Sequence, residues 1–336
     1  MRWRSLREMG GAMRGTGQRV TAADVARSLG LSRATVGFVL NNTPGQTIPE
    51  KTRQRVLAEA ARLGYRPNHA AQALRRGSTR LVMMLIPAWP MEASWAEFLD
   101  DVSFRLDQAG YTLVTYTRRV DDRARPLWET LRPEVVLGLD DLSDADALSA
   151  KASGAKIVVT QSVSDSPLVA PGAEQQVRHL HSRGHRRLAY AMPDDPRLAD
   201  LAALRRDMAQ TTAAALGLEP LDVRSAGLDN GTAAEAVRHW RDIGVTGVIA
   251  YNDLTAALVV GAALRAGIGV PAPLAVIGHD DSAFGRAFVP ALSTVRMGIQ
   301  ALARYVADLA LYGVGHLDEP PRPVTPDFEV VRREST

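Results

Sequence analysis

From residue 81 to the end of the chain, short apolar runs alternate with helix-like stretches, and this alternation limits the possible folds more than any other feature. Seven runs are typical of buried strands: 81–87, 111–116, 135–139, 156–160, 187–192, 245–251 and 274–279. Alternating strands and helices predict parallel sheets that are covered by helices on both faces. Because the runs form two groups with a break near 162–172, we predict two parallel-sheet subdomains with a ligand cleft between them.

The head, residues 1–79, has a different pattern, that of short capped helices. Thr21 and Asp24 resemble a capping box at the start of a helix that Gly30 ends. Ser32 is then expected to cap a second helix over 34–40. Two short helices joined by such a turn predict a helix-turn-helix, whose second helix enters the major groove of DNA with its N-terminal residues.

A third helix is expected over about 50–63, and the head is strongly basic. The residues expected on the buried face of this helix are Val56, Leu57, Ala60 and Leu63. Residues 18–80 contain eleven Arg or Lys and three Asp or Glu, whereas the chain from residue 81 onward contains 25 basic and 33 acidic residues. A basic helical head on an acidic body favours a nucleic-acid-binding module joined to a second function.

Three segments of the head form a distinctive pattern: VTAADVARSLGLSRATVGFVLN (20–41), TRQRVLAEAARLGYRPN (52–68) and AAQALR (70–75). Through these segments and through motifs of the body, nearly the whole chain resembles the LacI/GalR family of bacterial transcription regulators. The resemblance implies a small all-α helix-turn-helix DNA-binding head, joined by a hinge helix to an α/β core of two parallel-sheet subdomains like that of periplasmic binding proteins. It also implies a homodimer on a pseudo-palindromic operator.

The same resemblance implies where the domains begin and end. The expected segments are an unmatched N-terminal tail (1–18), the helix-turn-helix domain (19–65), the hinge helix and linker (66–79) and the effector-binding core (80–336). Within the core, the N-subdomain is expected at about 80–164 and 296–325. The C-subdomain is expected at about 165–295 and 326–336.

The residues that the resemblance places on operator DNA are Thr21, Ser32, Arg33, Ala34, Thr35, Phe38, Asn41, Asn68, Ala71 and Leu74. In the family, the leucine that matches Leu74 wedges into a base step of the minor groove and bends the duplex. The family usually has Ser-Arg where this chain has Gly37-Phe38. We therefore expect Arg33 to be the main base reader, while Phe38 can contact only a thymine methyl group.

Four residues match effector contacts of the family: Trp95, Arg205, Asn252 and Asp280. Asp280 follows the last predicted strand, and we expect it to accept hydrogen bonds from a sugar, nucleoside or similar polar metabolite. Asp281 is expected to turn away and cap local backbone. A plain N-cap or core role remains the alternative for each of the four. The family's Gly-aromatic pair is replaced by Met208-Ala209, so an atypical effector, or none, stays open.

Several other classes of protein are disfavoured by what the sequence lacks. It has no Cys, which excludes disulfides and thiolate metal sites. Its longest apolar stretch, 81–88, is too short to cross a bilayer, and no signal peptide is evident, so we expect a cytoplasmic protein. His179, His181 and His185 precede a predicted strand and are expected to be structural, with no metal.

No nucleotide-binding or nucleophile motif occurs, so we expect neither an enzyme nor a cofactor. The sequence predicts a DNA-binding transcription regulator, specifically a repressor that responds to a small molecule. A solute-binding protein and a sugar- or nucleotide-acting enzyme on the same α/β core are the alternatives.

Overall fold

The structure is a computed structural model, and it describes residues 20–41, 43, 45–66, 73, 77–90, 93–117, 125–139, 142–159, 171–228 and 231–336. The chain divides into two compact units, the head up to Thr79 and the core from Arg80 to Thr336. Of the predicted hinge contacts, Asn68, Ala71 and Leu74 lie outside the described residues. None of the helices within the described ranges is long and apolar enough to span a bilayer.

The described part of the head contains three helices: α1 (Ala22–Leu29), α2 (Arg33–Leu40) and α3 (Glu50–Arg62). The predicted caps are confirmed. The Asp24 carboxylate accepts a 2.9 Å bond from the Thr21 amide, and the Thr21 hydroxyl accepts one from the Asp24 amide. The Ser32 hydroxyl accepts a 3.0 Å bond from the amide of Thr35. Gly30 ends α1 at φ 64°, a left-handed conformation that costs glycine little.

A small apolar core holds the three helices of the head together. Its buried members are Val25, Ala26, Val36, Val39, Val56 and Ala60. The predicted burial of Leu57 is wrong, since Leu57 is 49% exposed. A helix turns by about 100° per residue, so the residue after the buried Val56 faces away from α1 and α2.

Among the described residues, the N-subdomain is built on a parallel sheet of four strands, in the order β2-β1-β3-β4. The strands are β1 (Leu81–Leu85), β2 (Thr112–Tyr116), β3 (Val135–Gly138) and β4 (Lys156–Val159). The helices between them are α4 (Ala93–Gln108), α5 (Leu127–Leu131) and α6 (Asp144–Ala152). Val82 and Met84 point into one apolar cluster and Met83 into another, so both faces of the sheet are covered.

The C-subdomain repeats this design in the order β6-β5-β7-β8, again with all strands parallel. The strands are β5 (Leu188–Met192), β6 (Asp222–Ser225), β7 (Gly247–Ala250) and β8 (Ala275–Ile277). The helices are α7 (Pro171–Ser182), α8 (Ala199–Ala215), α9 (Thr232–Asp242), α10 (Asp253–Arg265) and α11 (Ala283–Ala287). Strand β6 was not predicted from the sequence, because this largely exposed edge strand lacks an apolar run.

Within the described ranges, two antiparallel strands run between the subdomains: β9 (Thr294–Met297) and β10 (Phe328–Val331). Between them, α12 (Ile299–Gly313) packs against α4 and joins the apolar cluster of the N-subdomain. Phe328 and Val330 of β10 pack against the apolar cluster of the C-subdomain. The chain therefore leaves the C-subdomain along β9 and returns to it along β10.

Candidate nucleic-acid interface and ligand cleft

The candidate nucleic-acid interface is the N-terminal end of α2. Ser32, Arg33 and Ala34 are exposed, because α2 buries Val36 and Val39 on its opposite side. The first amides of a helix have no partner within the helix and attract phosphate, and side chains at such an end can reach base edges. Arg33 has no ion-pair partner among the described acidic residues.

Three other residues predicted to contact DNA, Thr21, Thr35 and Asn41, make side-chain hydrogen bonds at the ends of α1 and α2. The Thr21 hydroxyl donates a 2.7 Å bond to the Asp24 carboxylate, and the Thr35 hydroxyl lies 2.8 Å from that of Ser32. The Asn41 side-chain amide donates a 2.6 Å bond to the carbonyl of Gly37 at the end of α2. Phe38 is half-buried. The structure thus brings the described residues among these predicted contacts, Thr21, Ser32, Arg33, Ala34, Thr35, Phe38 and Asn41, to α2 and the start of α1.

Two of the four predicted effector residues form a buried ion pair in the C-subdomain. Arg205 of α8 and Asp280, just beyond β8, approach to 3.3 Å between Nη2 and Oδ1, and each side chain is 6% exposed. Arg205 also donates a 2.9 Å bond from Nη1 to the carbonyl of Tyr251, and its guanidinium lies 4.8 Å from the centre of the Tyr251 ring. The pair lies at the carboxyl ends of β7 and β8, where α/β sheets bind ligands.

His279 is a member of this cluster that sequence analysis missed. Its side chain is wholly buried, and Nδ1 lies 2.6 Å from Oδ1 of Asp280. Burial and the charge of Arg205 lower the pKa of His279, so the ring is neutral at pH 7 and Nδ1–H donates to the carboxylate. A histidine directly before an acidic residue at a strand end was the available signal.

The other nitrogen of His279 packs against the first turn of α7. A Cβ atom added to Gly172 would lie 2.0 Å from Nε2 of His279 and 3.1 Å from the ring of Phe328. Nε2 itself has no hydrogen-bond partner among the described residues. Gly172 therefore allows α7 to approach the residue that orients Asp280.

Asn252 has the N-cap role that was the alternative in the sequence. Its Oδ1 accepts 2.8 Å bonds from the amide and the hydroxyl of Thr255, and the residue is 4% exposed. These bonds fix the start of α10 directly beside Asp280, because the amide of Asp253 donates to the carbonyl of His279. Contact between Asn252 and an effector stays a prediction.

Trp95 lies in the N-subdomain, in a group of aromatic rings near the C-subdomain. It stacks on Phe98 with 5.1 Å between ring centres, and it lies 6.0 Å from Trp89. Trp89 packs against the apolar cluster of the C-subdomain, so these rings lie where the two subdomains meet. Trp95 Nε1 is buried without a hydrogen-bond partner among the described residues.

Asp281 turns away from Arg205, as predicted, but the expected capping of backbone is wrong, because its carboxylate pairs with arginines. It is 4% exposed and accepts bonds from Arg286 (3.2 Å), Arg296 (2.6 Å) and Arg333. Burial alone would raise the pKa of Asp281, but the bonds from Arg333 and Arg296 outweigh burial and lower it. The sequence could not show this, because Arg296 and Arg333 come from distant parts of the chain.

Asp253 performs the backbone capping that was expected of Asp281. Its carboxylate accepts 2.6 Å bonds from the amide of Ser282 and from the hydroxyl of Thr294. Asp253 is fully buried, and this burial raises its pKa to about 6.

Two of the three predicted structural histidines have side-chain partners within the protein. His179 Nε2 lies 2.9 Å from the hydroxyl of Thr336, and His185 Nδ1 lies 3.0 Å from that of Thr246. Within the described ranges, no three His, Asp or Glu side chains are grouped so that they could hold a metal ion.

Both parts of the chain match known protein families. Residues 21–68 match the family described as bacterial regulatory proteins, lacI family. Residues 177–336 match the periplasmic binding protein-like domain. The two matches cover the helix-turn-helix of the head and most of the C-subdomain with its returning strand.

The chain is similar in sequence to transcription regulators, over most of its own length and most of theirs. The chain is 31% identical over 321 residues to an uncharacterized HTH-type transcriptional regulator in the aml 5' region of Streptomyces limosus, with 88% of each chain covered. It is 29% identical over 323 residues to the HTH-type transcriptional regulator GalS of Salmonella typhimurium, with 89% of this chain and 92% of GalS covered.

Solved structures of regulators share the fold. The Lac repressor dimer bound to operator and the anti-inducer ONPF matches with a TM-score of 0.72 at 22% identity, covering 95% of this chain and 99% of that one. The CelR–cellobiose complex matches with a TM-score of 0.62 at 24% identity, covering 95% and 100%. The predicted fold class, a helix-turn-helix head and an α/β core of parallel sheets, is confirmed.

Proposed function

This chain belongs to the lacI family of bacterial regulatory proteins, and we propose that it regulates transcription by binding operator DNA with its head and a small molecule with its core. The observation that carries the proposal is the geometry of α2. Its capped N-terminal end exposes Ser32, Arg33 and Ala34 while its other side forms the core of the head. Neither an enzyme nor a solute-binding protein needs such a helix.

At the operator, Arg33 reads a base edge in the major groove, with Ala34 beside it. Thr21, Ser32 and Thr35 position the helix through phosphate contacts, while Phe38 contacts a thymine methyl group and Asn41 contacts the end of the site. The hinge residues Asn68, Ala71 and Leu74 complete the interface in the minor groove.

The regulator acts as a homodimer, as a repressor and in the cytoplasm. A two-fold dimer presents two recognition helices to the two halves of a pseudo-palindrome. The Lac repressor, whose fold this chain shares, binds its operator as a dimer, which supports the same assembly here.

The effector is a sugar, a nucleoside or a similar polar metabolite that binds at Arg205 and Asp280. Arg205 offers hydrogen-bond donors and Asp280 offers an acceptor within one buried pair of no net charge, a combination suited to hydroxyl groups. Trp95 supplies a ring surface near the meeting point of the subdomains, and Asn252 lies beside the pair. A ligand that favours one arrangement of the subdomains shifts the population of the DNA-binding form.

The experiment that tests the proposal is a selection of random DNA duplexes by the full chain. We expect enrichment of a pseudo-palindromic sequence, whose binding is then measured by fluorescence anisotropy against a shuffled duplex. Arg33→Ala should lower affinity for the enriched duplex far more than for the shuffled one. A pool that shows no enriched sequence after several rounds would overturn the proposed function.

A further inference from the structure

Two adjacent residues at the effector site have an unusual backbone conformation. Asp280 and Asp281 have φ angles of 92° and 48°, in the left-handed region that residues other than glycine rarely adopt. Such conformations persist only where the surrounding structure holds them, and they are frequent in ligand clamps and switches. The side-chain contacts of Asp280 and Asp281 therefore indicate which parts of the core hold this conformation.

The two side chains of the dipeptide reach different parts of the core. Asp280 contacts Arg205 and His279, within the proposed effector site. Asp281 contacts Arg296 of β9 and Arg333, which follows β10 by two residues, as well as Arg286 of α11. Asp281 thus lies between the effector site and the two described strands that connect the subdomains.

The contacts with β9 are specific in geometry. Arg296 donates to Oδ2 of Asp281 through Nε at 2.8 Å and through Nη2 at 2.6 Å, so its planar guanidinium is fixed against one carboxylate oxygen. The backbone follows the same strand, because the amide of Asp280 donates a 2.8 Å bond to the carbonyl of Val295. The amide of Asp281 belongs to the peptide between Asp280 and Asp281, and it donates a 3.3 Å bond to the hydroxyl of Thr294 in β9. A rotation of this peptide must therefore break that bond or displace the pair of Asp281 with Arg296.

We propose that Asp281 is a positioning residue that couples the effector site to the connection between the subdomains. When a ligand changes the position of Asp280, the adjoining peptide turns, and Asp281 transmits the change to Arg296 and Arg333. Because β9 leads directly into α12, which packs in the N-subdomain, the change alters how the subdomains are held. The inference rests on the proposed function and adds the residue through which the core is regulated.

The test needs no identified effector, because a substitution can perturb the effector site instead. The probe is the duplex that the wild-type chain enriches from the random pool. Its dissociation constant is measured for Arg205→Gln, for Asp281→Asn and for the double variant, which together form a double-mutant cycle. The matched control cycle replaces Asp281→Asn with Asp222→Asn. Asp222 is a half-exposed carboxylate of the edge strand β6 that pairs with Arg224 and accepts a bond from Trp240.

We expect Asp281→Asn to change the dissociation constant by at least about fivefold, and the double variant to depart from the product of the single effects by at least about threefold. Asp222→Asn should change it by less than twofold and combine multiplicatively with Arg205→Gln. Multiplicative behaviour of Asp281→Asn would overturn the inference and leave the proposed function standing. A wild-type chain that enriches no duplex would overturn the proposed function itself.

A second variant keeps the test decisive if Asp281→Asn does not fold. Arg296→Lys retains the positive charge beside Asp281 but loses the paired donors of the guanidinium. Folding is checked for every variant by circular dichroism. We expect Arg296→Lys to show the same non-multiplicative behaviour with Arg205→Gln, and multiplicative behaviour would count against the inference equally.

Discussion

Replacing Asp280 with alanine should destabilise the core far more than loss of an exposed ion pair would. Arg205 and Asp280 are each 6% exposed, so the substitution leaves a guanidinium buried without its carboxylate partner. Breaking a buried pair from one side costs about 3–5 kcal/mol, because the remaining charge is neither hydrated nor paired. His279 also loses the acceptor of its Nδ1–H. We expect the free energy of unfolding to fall by an amount near the middle of this range, since Arg205 keeps its bond to the carbonyl of Tyr251.

A second substitution should recover most of the loss. In the double variant Arg205→Met with Asp280→Asn, both charges are removed, and the amide oxygen can still accept from His279. Removing both partners of a buried pair is close to neutral, so we expect the double variant to be within about 1.5 kcal/mol of wild type. Asparagine also tolerates the positive φ of this position better than most residues.

The assay is urea unfolding of the full chain, followed by circular dichroism and tryptophan fluorescence. Asp242→Ala is the control, because Asp242 forms an exposed pair with Arg241 whose loss should cost no more than about 1 kcal/mol. An Asp280→Ala variant that loses no more stability than Asp242→Ala, or a double variant less stable than Asp280→Ala alone, would contradict the cost assigned to the buried pair.

Four further predictions follow from the head and from Asp253. Arg33→Ala should cost about 1–3 kcal/mol on the selected duplex and relax preference at one symmetric base position, whereas an equal loss on shuffled DNA would make Arg33 a phosphate contact. Leu74→Ala should weaken specific binding by a few kcal/mol in a fluorescence titration, and unchanged affinity would show that Leu74 only packs. Gly37→Ala should stabilise the head by about 0.5–1 kcal/mol in thermal unfolding, since an added Cβ meets only Asn41 at 3.9 Å. Gly30→Ala should destabilise the head, because Gly30 has a φ of 64° that alanine rarely adopts. Burial raises the pKa of Asp253 to about 6, above the value of 3.8 for the unfolded chain, so the folded state binds this proton more tightly. When the pH is lowered from 7 to 5, the core should therefore gain ~1 kcal/mol of stability from this group. Urea titrations at the two pH values measure this gain, which Asp253→Asn should abolish.

Local signals in the sequence predicted the head and the strands well. The caps at Thr21 and Ser32 depend on residues three positions apart, and the buried strands depend on continuous apolar runs, so neither needs knowledge of the tertiary fold. The predicted end of β8 likewise placed Asp280 at the carboxyl end of its strand. Strands β6, β9 and β10 were not predicted, and β6 shows why: an exposed edge strand needs no apolar run.

The features that the sequence did not reveal depend on distant partners. Asp281 was expected to cap backbone nearby, but its guanidinium partners Arg296 and Arg333 belong to the strands that connect the subdomains or directly follow them. His279 joins this cluster only in the folded core, where Asp280 beyond the end of β8 meets Arg205 of α8. Leu57 was predicted to be buried because it is an apolar residue next to Val56, and the packing of α3 against α1 and α2 turned it outward.

The contact between Gly172 and His279 also constrains how this chain can change over evolutionary time. A methyl group at position 172 would lie 2.0 Å from the imidazole, so no other residue fits there while position 279 carries histidine. A regulator with alanine at position 172 must carry a side chain smaller than histidine at position 279, or move the whole of α7 away from the sheet. The two positions should therefore covary among descendants of a common ancestor, with the change at position 279 preceding the change at position 172.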